Sequence, residues 1–338
     1  MVNHHLATPA ELARKRRAFR ILALMGGLVV AVFIISMNTG TLRLSPSEML
    51  QTLLGSGTDQ QELILYQFRL PRIVMSVLIG AGFAVSGCIL QGVTRNALAD
   101  PGILGINAGA GLIVILYISV MPLDNSIFLL PFLSLLGAGA TAALIYSLSY
   151  RRHHGISTIR LLLVGIAVSA GIAAAMIVLT LKLNPDQFKF VQVWMAGSLL
   201  GTDWRFVTAL LPWIIVLLPF VFYKSRVLDV LNLGDQTAAG LGAALNRERL
   251  YLYAAAIGLA GSCVAVGGGI AFVGLIGPHL ARRLVGPNHA YLLPASAMTG
   301  ALLLIVSDSL ARMYEVPTGI IVAILGAPYF LYLLTRAR

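Results

Sequence analysis

The chain has 338 residues, of which 58% are hydrophobic and only 11% are charged. Soluble domains carry roughly 25% charged residues, so this composition excludes a chain that is exposed to water along its whole length. The formal net charge of +11 would suit a nucleic-acid-binding protein, but the basic residues stand at the ends of apolar runs, which instead favours anchoring to anionic lipid.

The N-terminal region contains a basic run from Arg14 to Arg20, followed by an apolar run from Ile21 to Met37. A signal peptide has the same order of charge and apolarity. Here, however, the apolar run is long enough to span a membrane and many similar runs follow, so we interpret it as the first transmembrane helix. The predicted division is an N-terminal tail at 1–18 and a transmembrane domain at 19–338.

Apolar segments recur along the rest of the chain. About 20 apolar residues cross the hydrocarbon core as a helix, and about ten segments qualify, which predicts an all-α polytopic membrane protein. Two of them, 102–121 and 271–285, are short and broken by Gly and Pro. Irregular backbone is tolerated at membrane depth where it is buried in protein or lines a cavity, so these two are predicted to line a pathway. The ten segments are about 19–39, 64–90, 102–121, 128–150, 158–182, 206–223, 250–268, 271–285, 291–309 and 317–335.

Two polar stretches between these segments are longer than a tight turn requires. The stretch 184–205 contains Trp194 and Trp204, which suit a membrane interface. The stretch 224–249 is too polar to span and contains glycines between helix-compatible pieces. It is predicted to form two short helices around a glycine bend.

The distribution of basic residues predicts the orientation. Ten crossings place both termini on one side, and cytoplasmic segments of membrane proteins carry an excess of Lys and Arg. With the N-terminus in the cytoplasm, 17 of the 24 Lys and Arg residues fall on the cytoplasmic side. We therefore expect a multi-pass protein with both termini in the cytoplasm, in which 1–18 and 224–249 are cytoplasmic.

The sequence lacks the motifs of several enzyme classes. It contains no G-x-x-x-x-G-K-[ST] loop to cradle ATP phosphates, no H-E-x-x-H and no G-x-S-x-G, and no catalytic or metal site is predicted. Asp308 is the one candidate for an intramembrane acid, and its spacing from Arg312 predicts an i,i+4 ion pair near the outer end of a helix. Ion-coupled carriers need buried ionisable groups, and such groups are scarce in this sequence. Their scarcity favours a partner protein that supplies the energy for transport.

Four blocks of sequence resemble the FecCD/BtuC-type permeases, over about residues 20–336. The family provides the membrane subunits of ABC importers for ferric siderophores, haem and cobalamin. The resemblance implies a type II ABC importer permease fold, in which ten-helix subunits pair into a dimer in the bacterial cytoplasmic membrane. The blocks are FRLPRIVMSVLIGAGFAVSGCILQGVTRNALADPGILGINAGAG (68–111), LNLGDQTAAGLG (231–242), GGGIAFVGLIGPHLARRLVG (267–286) and PTGIIVAILGAPYFLYLL (317–334).

The resemblance also implies partners and roles for particular residues. Each permease is expected to sit on a cytoplasmic ATPase subunit, which holds ATP-Mg, while this chain binds no cofactor, and an external substrate-binding protein is expected to dock on the opposite face. Arg69, Arg72 and Arg312 would receive carboxylates of the binding protein, although interfacial snorkelling by ordinary arginines is the alternative. The ATPase-coupling residues would be Leu233, Gly234, Asp235, Ala238, Gly240, Leu241 and Gly242.

A cytoplasmic gate is implied at Ser157, Thr158 and Ile159. The family commonly has a small polar residue where this chain has Ile159, and a proline after Asn96 where this chain has Ala97. A hydrophobic constriction can also close a pathway, so Ile159 is compatible with a gate.

The expected function is therefore permeation of an iron chelate, with a ferric siderophore as the leading substrate. Haem or cobalamin is the alternative within the family. An ion-coupled secondary carrier and a membrane-embedded enzyme are remote alternatives, because neither buried relay groups nor a polar catalytic cluster is evident. The second permease of the dimer is either another copy of this chain or a sister chain.

Overall fold

The computed structural model describes residues 9–40, 45–121, 129–151, 155–156 and 158–336. In this part of the chain, fifteen α-helices account for most residues. They are α1 Pro9–Asn38, α2 Pro46–Leu53, α3 Asp59–Glu62, α4 Leu70–Thr94, α5 Ile106–Val120, α6 Leu129–Ser149, α7 Thr158–Thr180, α8 Pro185–Met195, α9 Trp204–Tyr223, α10 Ser225–Asn232, α11 Asp235–Gly240, α12 Leu245–Gly267, α13 Val273–Val285, α14 His289–Tyr314 and α15 Thr318–Arg336.

Three irregular elements complete the architecture. A π-helical turn, Leu63–Arg69, joins α3 to α4, and a 3-10 turn, Pro101–Leu104, precedes α5. The strands β1 (Tyr150–Arg151) and β2 (Gly155–Ile156) form an antiparallel pair in which Tyr150 lies opposite Ile156. The prediction of an all-α chain is thus confirmed apart from this short hairpin.

Every predicted apolar segment corresponds to a helix. Seven helical stretches are long and apolar enough to span a membrane, and α5 and α15 are shorter apolar helices. The two segments predicted to be broken are the shortest, since α5 has 15 residues and α13 has 13. One boundary differs markedly: α1 begins at Pro9, so the basic run predicted as part of a tail extends the first spanning helix.

The helix α4 lies at the centre of the bundle and is buried along most of its length. It packs against α13 and α14 through glycines, because a Cβ atom at Gly87 would overlap the carbonyl oxygen of Gly274 and one at Gly80 would overlap that of Gly300. Lipid offers no hydrophobic force between helices, so close backbone approach at small residues is what holds such helices together. The apolar residues Cys88 and Cys263 lie fully buried in the same core.

The segment between α12 and α13 is non-helical and partly buried, with Gly268 and Ile270 buried and Ala271 exposed. Gly268 has φ +71°, which disfavours other residues, and its Cα side abuts the carbonyl oxygen of Trp194. The amide of Gly269 donates to that oxygen at 3.2 Å, and the amide of Ser198 donates to Gly267 at 3.1 Å. These bonds satisfy irregular backbone that lipid could not satisfy, as the predicted pathway segment requires.

The chain's topology gives the bundle two ends. At one end, α1 and α14 finish while α4 and α15 begin, and we call this the Asp308 end. At the opposite end, which we call the Asp229 end, α4 finishes and α14 begins. The short helices α10 and α11 also lie there, because Asp229 of α10 contacts His289 at the start of α14.

Candidate functional site

Three arginines predicted from the sequence converge at the Asp308 end. Asp308 of α14 is only 1% exposed, and its Oδ1 accepts a hydrogen bond from Arg72 Nε at 2.8 Å and another from Thr318 Oγ1 at 3.0 Å. Its Oδ2 lies 3.2 Å from Arg312 Nε, which confirms the predicted i,i+4 pair. The carboxylate therefore joins α4, α14 and α15, a wider role than the local pair that spacing indicated.

Arg69, the last residue of the π-helical turn, is buried beside this cluster. Its Nη1 donates to the carbonyl oxygen of Met37 at the end of α1, and its Nη2 has no partner in the described part of the chain. Arg312 likewise reaches α1, donating to the carbonyl oxygen of Thr39 at 3.3 Å. Arg69 is thus the member of the trio that no carboxylate of the described chain neutralises.

An open cavity of about 500 Å³ lies directly over the three arginines. Lys189 from α8 and Glu315 from the α14–α15 turn also line it. Arg offers a planar, permanently charged fork that binds carboxylates through two hydrogen bonds. The site can therefore take an anionic group. The single charge of Asp308 leaves one positive charge shared by Arg72 and Arg312 and another on Arg69.

The stretch predicted to couple to an ATPase has the predicted two short helices, α10 and α11, joined by a bend at Leu233–Gly234. Gly234 has φ +103° and Gly242 has φ +82°, conformations that glycine adopts without strain. Leu233 is 60% exposed and Leu241 is 64% exposed, whereas Ala238 is fully buried. Leu233 and Leu241 thus expose apolar surface on this polar segment, whereas Ala238 packs against the chain itself.

Asp235, the first residue of α11, is held from within the chain. Its Oδ1 accepts hydrogen bonds from Arg95 Nη2 at 2.5 Å and from Arg249 Nη2 at 2.7 Å. Arg95 caps α4 in a left-handed conformation, and Arg249 lies in the first turns of α12. Asp235 therefore ties the bend to two transmembrane helices, which sequence reasoning did not foresee because the three residues are distant along the chain.

A second tie anchors the preceding helix. His289 is fully buried, and its Nδ1 lies 2.7 Å from Oδ1 of Asp229, which also accepts from the His289 amide at 3.0 Å. The ring packs beside Gly92 of α4. Any displacement of α10 must therefore move α14 and α4. Sequence reasoning missed this pair because no local spacing relates 229 to 289.

The predicted gate is placed only in part. Ser157 lies outside the described residues, Thr158 is the first residue of α7, and Ile159 is largely exposed. The nearby turn that carries Ala97 instead of proline is closed by Asn96, whose side chain accepts from the Leu98 amide at 3.0 Å. The substitution thus leaves the turn intact.

A protein-family model, described as the FecCD transport family, matches residues 28–336. The chain belongs to this family. The expected resemblance and the type II permease fold are thereby confirmed, and the chain is a transport permease subunit of the kind found in ABC importers. Membership implies ATPase and substrate-binding partners in general terms.

Two curated relatives and one solved structure resemble the permease over nearly its full length. It is 49% identical to the iron(3+)-hydroxamate import system permease protein FhuG of Bacillus subtilis (strain 168), over 92% of this chain and 95% of the relative. It is 41% identical to the Fe(3+)-citrate import system permease protein YfmE of the same organism, over 95% and 96% of the two chains. A metal-chelate type ABC transporter solved in an inward-facing conformation matches with a TM-score of 0.84 at 29% identity, covering 94% of this chain and 99% of that one.

Proposed function

We propose that this permease moves a ferric chelate, specifically a ferric siderophore, across the bacterial cytoplasmic membrane in an ATP-driven importer. The family match and the exposed Leu233 and Leu241 on a segment that does not span the membrane carry the proposal. The two relatives act on different ferric chelates, so a shared iron-chelate chemistry is favoured over one particular ligand. The Asp229 end faces the cytoplasm in this proposal, because most basic residues lie there.

The contact with the ATPase is assigned to the tip of the α10–α11 segment, within 224–249. Leu233 and Leu241 provide the apolar surface, and Gly240 lets the partner approach because nothing of this chain lies within 4 Å of its ideal Cβ. Asp235 transmits movement through its ties to α4 and α12 rather than through direct contact. The partner holds ATP-Mg, and alternating access follows when the segment moves the helices to which it is tied.

The binding protein is proposed to dock at the Asp308 end. Asp308 already neutralises part of the charge of Arg72 and Arg312, so a carboxylate that enters the cavity is proposed to pair with Arg69 at its base, after passing the exposed Lys189 that also lines it. The gate at 157–159 is proposed at the opposite end of the pathway. A second permease, identical or sister, completes the channel, and domain bounds of 1–18 and 19–338 remain part of this proposal.

The decisive experiment is uptake of ⁵⁵Fe-labelled chelates by a strain that lacks only this chain. We expect loss of ferric siderophore uptake and its restoration by the wild-type gene. A panel with ferric hydroxamates, ferric citrate, haemin and cobalamin assigns the substrate. Unchanged uptake of every compound would refute the proposal, and uptake that persists after ATP depletion would indicate an ion-coupled carrier instead.

Variants of Leu241 test the coupling surface in the same strain. Leu241→Ser removes an apolar contact that is worth about 1.5–3 kcal/mol when fully buried, so binding of the ATPase should weaken roughly tenfold or more. Leu241→Met retains the apolar surface and is the matched control. Equal uptake and equal co-purification of the ATPase with both variants would contradict this assignment.

A further inference from the structure

A basic cleft of about 1040 Å³ opens at the Asp229 end of the bundle. Its walls come from three separate parts of the chain: the first turns of α1, the helix α10 and the turn between α13 and α14. Five cationic side chains line it, and Asp229 is the one acidic residue among the described lining residues. The cations are Arg14, Lys15, Arg17, Arg226 and Arg283.

The charge of this cleft is largely uncompensated. None of the five cations forms an ion pair with a carboxylate in the part of the chain that the structure describes. Asp229 offsets at most one of the five positive charges, and its Oδ1 is already engaged by the ring and the amide of His289. Cations gathered in a concave site concentrate a positive potential, so the cleft attracts an anion of more than one negative charge.

The position of the cleft relates it to the membrane surface. The apolar run of α1 follows the basic turns directly, and Leu24 on that run is 73% exposed. Leu24 and Leu28 follow Arg17 by seven and eleven residues on one helix, so the three residues lie on the same face. In the wall of the cleft, the buried Ala18 and the edge-on contact of Phe19 with Tyr291, with ring centroids 6.1 Å apart, hold α1 against α14. Because the apolar run of α1 is long enough to span a membrane, the cleft at the basic end of this helix is expected at headgroup level, beside a lipid-facing surface.

We propose that the cleft binds the headgroup of an anionic phospholipid. The phosphate groups pair with the guanidinium groups of Arg226 and Arg283, while the cations of α1 supply further attraction and the acyl chains lie along the exposed face of α1. Arg suits this role because its fork matches phosphate oxygens. Basic pockets between helices at the membrane surface are suited to lipid phosphates. A diphosphate headgroup fits the excess charge best.

Such a lipid would join the first helix to the coupling segment. Arg226 belongs to α10, the helix that Asp229 ties to α14. A headgroup held between α1 and α10 would therefore brace the segment proposed to contact the ATPase. This inference concerns lipid binding by the chain itself and does not depend on the transported substrate.

Native mass spectrometry of the delipidated full chain tests the proposal. The chain is titrated in detergent with cardiolipin, phosphatidylglycerol or phosphatidylcholine. We expect cardiolipin and phosphatidylglycerol to bind at least tenfold more tightly than phosphatidylcholine. The double variant Arg226→Gln/Arg283→Gln should lose roughly tenfold or more of that affinity.

The matched control is Arg16→Gln/Arg20→Gln, which removes the same charge from the same region of the molecule but outside the cleft. It should change lipid affinity less than about twofold. If the first double variant does not fold, Arg226→Lys/Arg283→Lys replaces it, because it keeps the charge and removes only the guanidinium fork. Lipid affinity of this variant should fall by more than the roughly twofold limit set for the control, and an unchanged affinity would contradict the proposed pairing with the guanidinium groups.

Three outcomes would overturn the proposal. Equal affinity for phosphatidylcholine would exclude a headgroup site, and equal losses in the cleft variants and the control would indicate general surface attraction. An inorganic pyrophosphate arm distinguishes the source of the anion. Saturable binding of pyrophosphate as tight as that of cardiolipin would assign the cleft to a soluble phosphate compound instead.

Discussion

Replacing Asp308 by Asn perturbs the junction of α4, α14 and α15 with almost no change of shape. The amide oxygen can still accept from Thr318, whose Oγ1 lies 3.0 Å from the carboxylate. The negative charge that balances Arg72 at 2.8 Å and Arg312 at 3.2 Å is lost. Breaking a buried ion pair by removing one partner costs about 3–5 kcal/mol. For a chain of this size that corresponds to a fall in unfolding temperature of roughly 5 °C.

The chain carries its own reporter for this measurement. Cys88 and Cys263 are free and fully buried in the core. A dye that fluoresces on reaction with thiols therefore reports unfolding in detergent as the temperature rises. The matched control is Glu315→Gln, at an exposed carboxylate of the same cavity that forms no ion pair within the described residues. The unfolding temperature of the control should match wild type within about 1 °C.

A double-mutant cycle decides whether charge pairing is the cause. If Arg72 depends on Asp308, the combined variant Asp308→Asn/Arg72→Gln should cost less than the sum of the single variants, by about 0.5–3 kcal/mol. Additive costs, or an Asp308→Asn variant that melts with wild type, would refute the reasoning. The buried carboxylate of Asp308 would then contribute little to the stability of the protein.

Two further outcomes follow from the packing and from the uncompensated arginine. Gly87→Ala should destabilise the protein by about 1–3 kcal/mol in the thiol-dye assay, because the added methyl group would meet the Gly274 carbonyl. Its control, Gly139→Ala, has nothing within 4 Å of the added Cβ and should stabilise the protein by about 0.5–1 kcal/mol through helix propensity. Equal unfolding temperatures of the two variants would contradict the packing argument. Arg69→Gln should weaken binding of the substrate-binding protein about tenfold or more, because a desolvated charge pair is lost. The control is Lys182→Gln, which removes an exposed cation outside the cavity. Equal affinities of the two variants in surface plasmon resonance would reject Arg69 as a docking residue.

The sequence predicted the spanning segments well because lipid imposes a simple rule on them. An apolar run of sufficient length has few alternatives to a helix, so even the broken segments at 102–121 and 271–285 were located within a few residues. The predicted start of the first helix was wrong, because hydropathy does not report on helical residues outside an apolar run. The basic turns before Ile21 belong to helix α1, which begins at Pro9, and a hydropathy window cannot detect a helical extension made of charged residues.

The candidate sites were predicted less completely. The i,i+4 pair of Asp308 and Arg312 could be derived from spacing because it lies on one helix. The contact of Asp308 with Arg72 crosses 236 residues of sequence, and no local pattern relates the two. The same holds for Asp235, whose tie to Arg95 shows that a residue expected to face a partner is already bound inside the chain.

Composition and order along the chain thus determined that this is a multi-pass membrane protein and where its apolar helices lie, because solvation by hydrocarbon acts on each segment independently. Tertiary structure alone decided which charges neutralise one another and which stay available for a ligand. Asp308 pairs with two arginines and leaves Arg69 without a carboxylate, while three remote segments bring five cations into one cleft. Coulomb energy depends on distance in space, and only the folded bundle sets that distance.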